Sequence, residues 1–417
     1  MRSLQTGLWS GLGMLALVVA GTGQARAEEW PKWLGPDGTG IAADKIVDQW
    51  PAAGPKKIWS ADVGQGFAST VGDKGIVYAF GLQGKNAVLT ALDADTGKVI
   101  WAESNPETHH ADKDQAADPA TNLPLPEASP TIDGDFIYTY SGGGDLVCRK
   151  LADGKQVWQI NILDETKAAI LQWNASSSPL VDDKLVYVQG GQGGSLAVAV
   201  DKATGKVAWK ADNGLGGYAA AILADVQGTK QLIIFGGDAL HGLNPSTGKE
   251  LWAYPWKTSY DVNATTPIYK DGYLFISSGY GHGCAMFELH PSGVKLDWKG
   301  KEVTSKFQPV ILDKGELFAN SAGRLKCLKW PTNDVLWSSN KIELQEGGSF
   351  VIDGAQLIAM SEKGKLSLVH LAAAGPELMS EVPMFDYDKV WSSPVIYHGK
   401  LYVKGKTEMV CLDIGAK

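Results

Sequence analysis

His109, His110, Asp112 and Asp114 fall close together in the stretch SNPETHHADKDQAADPATNLPLPE, residues 104–127. Imidazoles and carboxylates at that density could ligate a divalent metal. Their order is not a zinc pattern, and the stretch is acidic and Pro-rich, so a solvated loop without metal is expected. Cys148, Cys284, Cys327 and Cys411 are isolated from one another, and His282 sits between glycines in GYGHGC. No Ser-His-Asp order, Walker loop, dinucleotide-binding glycine fingerprint or His-Glu-x-x-His helix is visible. The Gly-rich runs SGGGD and GGQGGS have no helix after them, so they are not phosphate cradles. The residues that remain are suited to binding rather than turnover.

The elements that position them are repeats. ALDADTGKVIW (91–101) returns as AVDKATGKVAW (199–209). Around each copy an apolar strand follows Ser-Pro or its like. A turn, a second strand, a loop, a third strand, a polar turn and a strand bearing Trp come next. Such units are clear at 128–158, 177–209 and 265–289, with related copies starting near Ser69, Ala219, Phe307, Ser349 and Ser392. The period-two alternation of GIVYAF and KLYVKG is that of strands. Successive four-stranded antiparallel sheets predict an all-β propeller. The fourth strands carry Trp59, Trp101, Trp158, Trp209, Trp252, Trp298 and Trp337; the seventh copy lacks Trp. The last copy, from Ser392, stops after three strands, while KKIWSADV (56–63) is a fourth strand without its first three. Pairing them closes an eight-bladed ring and removes two sheet edges. Gly97 and Gly205 supply the positive φ of the hairpin turn, with Asp93 and Thr96 capping it. The Trp four residues after each glycine is expected to pack between blades, as architecture rather than chemistry.

The chain opens with Arg2, an apolar stretch from Leu8 to Ala20 and Ala25-Arg26-Ala27, the form of a secretory signal cut before Glu28. Expected boundaries are a signal peptide at 1–27, an N-terminal extension at 28–54 and the propeller at 55–417. No cysteine lies near the cut, so an exported, non-lipidated protein, periplasmic or secreted, is expected. Removing residues 1–27 takes away Arg2 and Arg26 and no acid, so the charge falls from −8 to −10. That argues against nucleic acid, which wants a basic stripe, and against adhesion to anionic lipid. No membrane span and a monomer are expected.

The Ala-x-Asp-x-x-x-Gly-x-x-x-Trp pattern at Ala91–Trp101 and Ala199–Trp209 resembles the tryptophan-docking motif of quinoprotein alcohol dehydrogenases. WPKWLGPDGTGI (30–41) and SSGYGHGCAMFEL (277–289) are similar to exported pyrroloquinoline-quinone-repeat-like proteins. The propeller-type outer-membrane assembly lipoprotein shares that fold, without its lipid-bearing cysteine here. The resemblance implies an eight-bladed ring and, in the dehydrogenases, a bound quinone and calcium. Those enzymes cover the quinone with two adjacent, mutually bonded cysteines; this chain has none. Cys148, Cys327 and Cys411 occupy one equivalent third-strand position on different blades, too far apart to bridge, so free thiols are expected. No cofactor is expected.

In a propeller the loops leading into the inner strands surround a central funnel. Those loops carry Phe67, Glu127, Asn174, Tyr218, Asn263, Lys306, Gln345 and Trp391, with Trp173 and Tyr260 nearby. Loops between second and third strands add Tyr280 and His282. Aromatics mixed with amides and single charges suit a protein segment or a small polar ligand. The expectation is a non-catalytic binding scaffold. A quinone-dependent alcohol or sugar dehydrogenase, and a carbohydrate-binding or carbohydrate-processing propeller, are the alternatives.

Overall fold

Asp93 shows how the repeat folds. Its carboxylate accepts from the Thr96 amide (2.8 Å) and hydroxyl (2.7 Å), and those hydrogen bonds hold it below the usual carboxylate range. Asp201 and Thr204, and Asn244 and Thr247, form the same cap. Each turn joins a third strand to a fourth strand that then bulges by one residue.

The computed structural model describes residues 29–110 and 117–416. The expected signal peptide, Asp112 and Asp114 lie outside them. The sheets form the eight blades of a propeller, each a four-stranded antiparallel meander. Blades one to four run from Val71–Asp73 to Val99–Pro106, from Thr131–Asp133 to Gln156–Asn161, from Leu180–Val181 to Val207–Ala211, and from Ile222–Val226 to Glu250–Pro255. Blades five to seven run from Ile268–Lys270 to Gly293–Gly300, from Val310–Asp313 to Val335–Ser339, and from Ser349–Asp353 to Gly375–Pro383. Blade eight takes Val395–Tyr397, Lys400–Lys404 and Glu408–Asp413 from the end of the chain and Lys56–Asp62 from its beginning, with Trp59 opposite Cys411. The closure read from the sequence is the one observed. Two short elements among the described residues depart from strands and loops: a 3-10 turn, Ser259–Asp261, and a five-residue helix, Ile162–Thr166, which follows blade two and is capped by Asn161, whose side-chain oxygen accepts from the Asp164 amide at 3.0 Å.

The repeated Ser before each inner strand has a physical role. The Ser393 amide donates to Ser69 Oγ (2.9 Å), the Ser69 amide to Ser129 Oγ (3.0 Å) and the Ser129 amide to Ser178 Oγ (3.0 Å). Blades eight, one, two and three are thus pinned in succession at the funnel end of their inner strands.

Residues 30–42 are more than an extension. The Trp30 amide donates to Gly72 O in blade one, Pro31 O accepts from Ile132 in blade two, and Gly40 O accepts from Ile352 in blade seven. Ile41–Ala42 adds a parallel strand to the inner edge of blade seven. Trp33 Nε1 crosses to Thr266 Oγ1 at blade five (3.0 Å). The segment therefore plugs the central channel below the funnel. Further along, Trp50 supplies what blade seven lacks. Ser380 holds the register position occupied by Trp in the other blades, and its hydroxyl bonds both the amide and the carbonyl of a buried Trp50.

Candidate functional site

All eight inner-strand entry loops converge on one cavity of about 430 Å³. Its wall includes Phe67, Glu127, Trp173, Tyr218, Tyr280, Lys306, Gln345 and Trp391, with Trp33 of the plug among the lining residues. Trp391 lies between Phe67 and Phe307, with ring centroids 4.7 and 5.2 Å away. Its Nε1 donates to Glu362 Oε1 at 2.9 Å, and the Gly347 amide donates to Glu362 Oε2 at 3.0 Å. A Cβ on Gly347 would lie 2.4 Å from Trp391 Nε1, so only glycine leaves the indole this seat. At the rim, Tyr260 meets Tyr280 edge-on at 5.9 Å, and both have φ above zero, as do Asn174, Gln345 and Lys389. For tyrosine that is a strained conformation, and strain gathered at one mouth marks a shaped site.

Apart from Lys389, the charges of the wall are paired, hydrogen-bonded or suppressed. Lys306 Nζ lies 3.3 Å from Glu346 Oε2 and 4.6 Å from the centre of the Tyr280 ring. Lys389 Nζ lies over Trp391 at 5.8 Å. Burial pushes the Glu127 carboxyl up to about 8, against the opposing pull of its hydrogen bond from Asn174 Nδ2 (3.4 Å). Trp173 Nε1 and Gln345 Oε1 have no hydrogen-bond partner among the described residues.

Three residues expected in the funnel lie elsewhere. Asn263 is fully buried; its Nδ2 donates to Gly236 O (2.8 Å), Trp256 O (3.1 Å) and Gly237 O (3.2 Å), so it ties entry loops together. Asn174 is also fully buried, behind Glu127. His282 packs edge-on against Trp256 at 4.6 Å, and burial, with Lys299 and Lys301 beside it, lowers its pKa. Trp256 Nε1 donates to Ser278 Oγ and that hydroxyl to Asn263 Oδ1, one buried network beneath the loop. Conversely, Trp33, Phe307, Gln308 and Glu362 line the cavity unforeseen. Phe307 and Gln308 adjoin Lys306, and Glu362 lies in the same class of loop as Tyr280, so counting every blade's loops alike would have found them.

The seven Trp residues read as docking groups sit between blades. Trp59, Trp101, Trp158, Trp209 and Trp298 donate Nε1 to carbonyls of the next blade's third-to-fourth-strand turn, at Ala94, Leu151, Lys202, Pro245 and Pro331. Trp252 reaches that turn through Gln231, whose Oε1 accepts a hydrogen bond from the indole and whose Nε2 donates to His290 O and Pro291 O. Trp337 faces Gly375 of blade seven.

The four cysteines are buried and free, on blades two, five, six and eight. Burial pushes Cys148 and Cys284 up to about 11, and Cys327 and Cys411 up to about 12. They supply no adjacent pair to cover a quinone. No group of three His, Cys, Asp or Glu placed to hold a metal occurs among the described residues. Glu346 is paired with Lys306 and Glu362 accepts two hydrogen bonds, so neither carboxylate of the cavity wall stands free.

Fold and cavity together define a quinoprotein-like propeller with a plugged channel and an aromatic funnel. The chain belongs to the family described as PQQ_2, outer membrane protein assembly factor BamB, whose model matches residues 85–339. The outer membrane protein assembly factor BamB of Yersinia pestis is 24% identical over 382 residues, covering 85% of this chain and 88% of the relative. BamB from Moraxella catarrhalis superposes with a TM-score of 0.64 at 15% identity, over 86% of this chain and 97% of that one. The quinohemoprotein alcohol dehydrogenase of Comamonas testosteroni gives 0.69 at 15% identity, over 93% and 81%. These two superpositions speak to fold alone. Among the described residues, no helix is long and apolar enough to cross a membrane.

Proposed function

We propose that this protein is an exported, non-catalytic scaffold of the periplasm that takes part in outer-membrane protein assembly and holds its partner at the funnel face. Membership of the assembly-factor family carries the reading. The signal-like first 27 residues support export, and their lack of a cysteine supports a chain that is not lipidated. The exposed rim tyrosines, Tyr260 at 66% and Tyr280 at 44%, offer aromatic anchors of the kind that interfaces use. The quinone-dependent dehydrogenase is disfavoured by the isolated cysteines and the engaged carboxylates.

The test is made in the host. Deleting the gene should lower the amounts of outer-membrane β-barrel proteins. The wild-type gene should restore them, and a Tyr260→Ser, Tyr280→Ser variant that folds should not. Unchanged barrel proteins on deletion overturn the assembly reading. Alcohol oxidation by the purified protein with pyrroloquinoline quinone, calcium and an artificial acceptor overturns the non-catalytic one.

A further inference from the structure

We propose that the funnel cavity is a binding site for an uncharged sugar of one or two rings. The proposal rests on the reading of the funnel as a binding face and adds a ligand to it. Shape comes first. At about 430 Å³ the cavity lies toward the small end of the roughly 300–1,000 Å³ typical of small-molecule pockets. Because Trp33 of the plug stands within it, the occupant enters from the mouth rather than threading the channel.

The wall chemistry comes second. Trp391, Trp173 and Tyr218 are aromatic surfaces brought into one cavity, and Trp391 is braced by Phe67 and Phe307 so that its plane is fixed. A pyranose presents an apolar face of C–H bonds that lies flat on such a ring, while its hydroxyls point outward to polar groups. Polar side chains share the lining: Ser176, Ser178, whose Oγ accepts from Ser129, and Gln308, whose Nε2 donates to Gly347 O at 2.6 Å.

Charge decides between neutral and ionic ligands. Among the described residues the wall's cations are Lys306 and Lys389, and its acids Glu127, Glu346 and Glu362. Lys306 pairs with Glu346, and Glu362 takes two hydrogen bonds. Glu127, pushed up to about 8, is mostly uncharged at neutral pH. Two buried wall atoms without a hydrogen-bond partner among the described residues, Trp173 Nε1 and Gln345 Oε1, are a neutral donor and a neutral acceptor. A tricarboxylate such as the quinone would enter with three charges against one unpaired lysine and no arginine. A neutral polyol brings none to be matched.

The experiment titrates the purified protein with a panel of neutral mono- and disaccharides, read by calorimetry and saturation-transfer NMR. Pyrroloquinoline quinone with calcium is run as the competing arm. At least one sugar should bind saturably, with Kd on the order of 1 mM or tighter. That Kd should change less than about twofold between low and high salt, since no ion pair forms. Trp391→Ala should weaken binding about tenfold or more, and Trp391→Phe, which keeps a ring, about threefold or less. A silent panel overturns the proposal, as does salt-sensitive binding or quinone binding that displaces the sugar. Loss of sugar binding in a variant that still restores barrel proteins would separate this site from the scaffold role.

Discussion

A glycine's missing side chain is where the neighbouring blade's tryptophan rests. Gly205 has φ +72°, and a Cβ there would lie 2.7 Å from the Trp158 ring; Gly97, Gly154 and Gly248 repeat the pattern under Trp59, Trp101 and Trp209. One residue thus meets two demands, a left-handed turn and a flat seat for an indole. Gly205→Ala should cost about 2–4 kcal/mol, combining backbone strain with a displaced ring. Gly84, φ +60° with nothing within 4 Å of the same Cβ, is the control, and its change to Ala should cost about 1 kcal/mol. Equal losses in urea melts would show that the ring contact contributes nothing. The indoles were legible because Trp recurs at fixed spacing from a turn. Asn263 was misread because position alone put it at the funnel, whereas three backbone carbonyls claim its amide. That competition is invisible until the loops are folded.

Blade seven shows one element completing another. Its fourth strand has Ser380 at the docking register, and Trp50, from far earlier in the chain, is fastened to that serine. Trp50→Ala should cost about 3–5 kcal/mol, the usual loss for a buried large aromatic, and should loosen blade seven before the others. Hydrogen exchange of Gly375–Pro383 against the outer strand of blade three would check this. Uniform protection across both would refute it. The strands, the blade count and the entry loops could be read in advance because each repeats a local pattern. The plug could not. Residues 30–42 have no repeat, and their partners in blades one, two, five and seven are assembled only by the closed ring. The same holds for Trp33 in the cavity, whose tryptophan carried no local signal of where it would end.

The molecule as a whole carries two ionisable groups, Glu127 half-buried in the cavity wall and Lys404 buried, that pull its stability in opposite directions with pH. The folded value of Glu127 is raised from 4.5 to about 8, so its favourable contribution is complete below about 4.5 and is lost as pH rises to about 8, because the unfolded chain ionises first. Lys404 is buried with Nζ donating to Gly66 O, and its value is lowered from 10.5 to about 7. Its cost is full below about 7 and is relieved as pH rises toward 10.5. Glu127→Gln should therefore leave stability unchanged near pH 4 and raise it by up to a few kcal/mol at pH 8, measured by urea unfolding. A gain of equal size at both pH values would contradict the assignment. Removing residues 29–63 should abolish cooperative melting at the native temperature, since blade eight would lose Lys56–Asp62 and the channel its plug. The pairing of Lys56 with Asp413 also fixes a timetable. A ribosome makes the early strand hundreds of residues before its partner. Through that interval the strand's backbone donors and acceptors have no mate, and the ring stays open. The finished ring therefore forms only after synthesis has reached Asp413, which makes whatever shields the first strand until then part of the protein's folding.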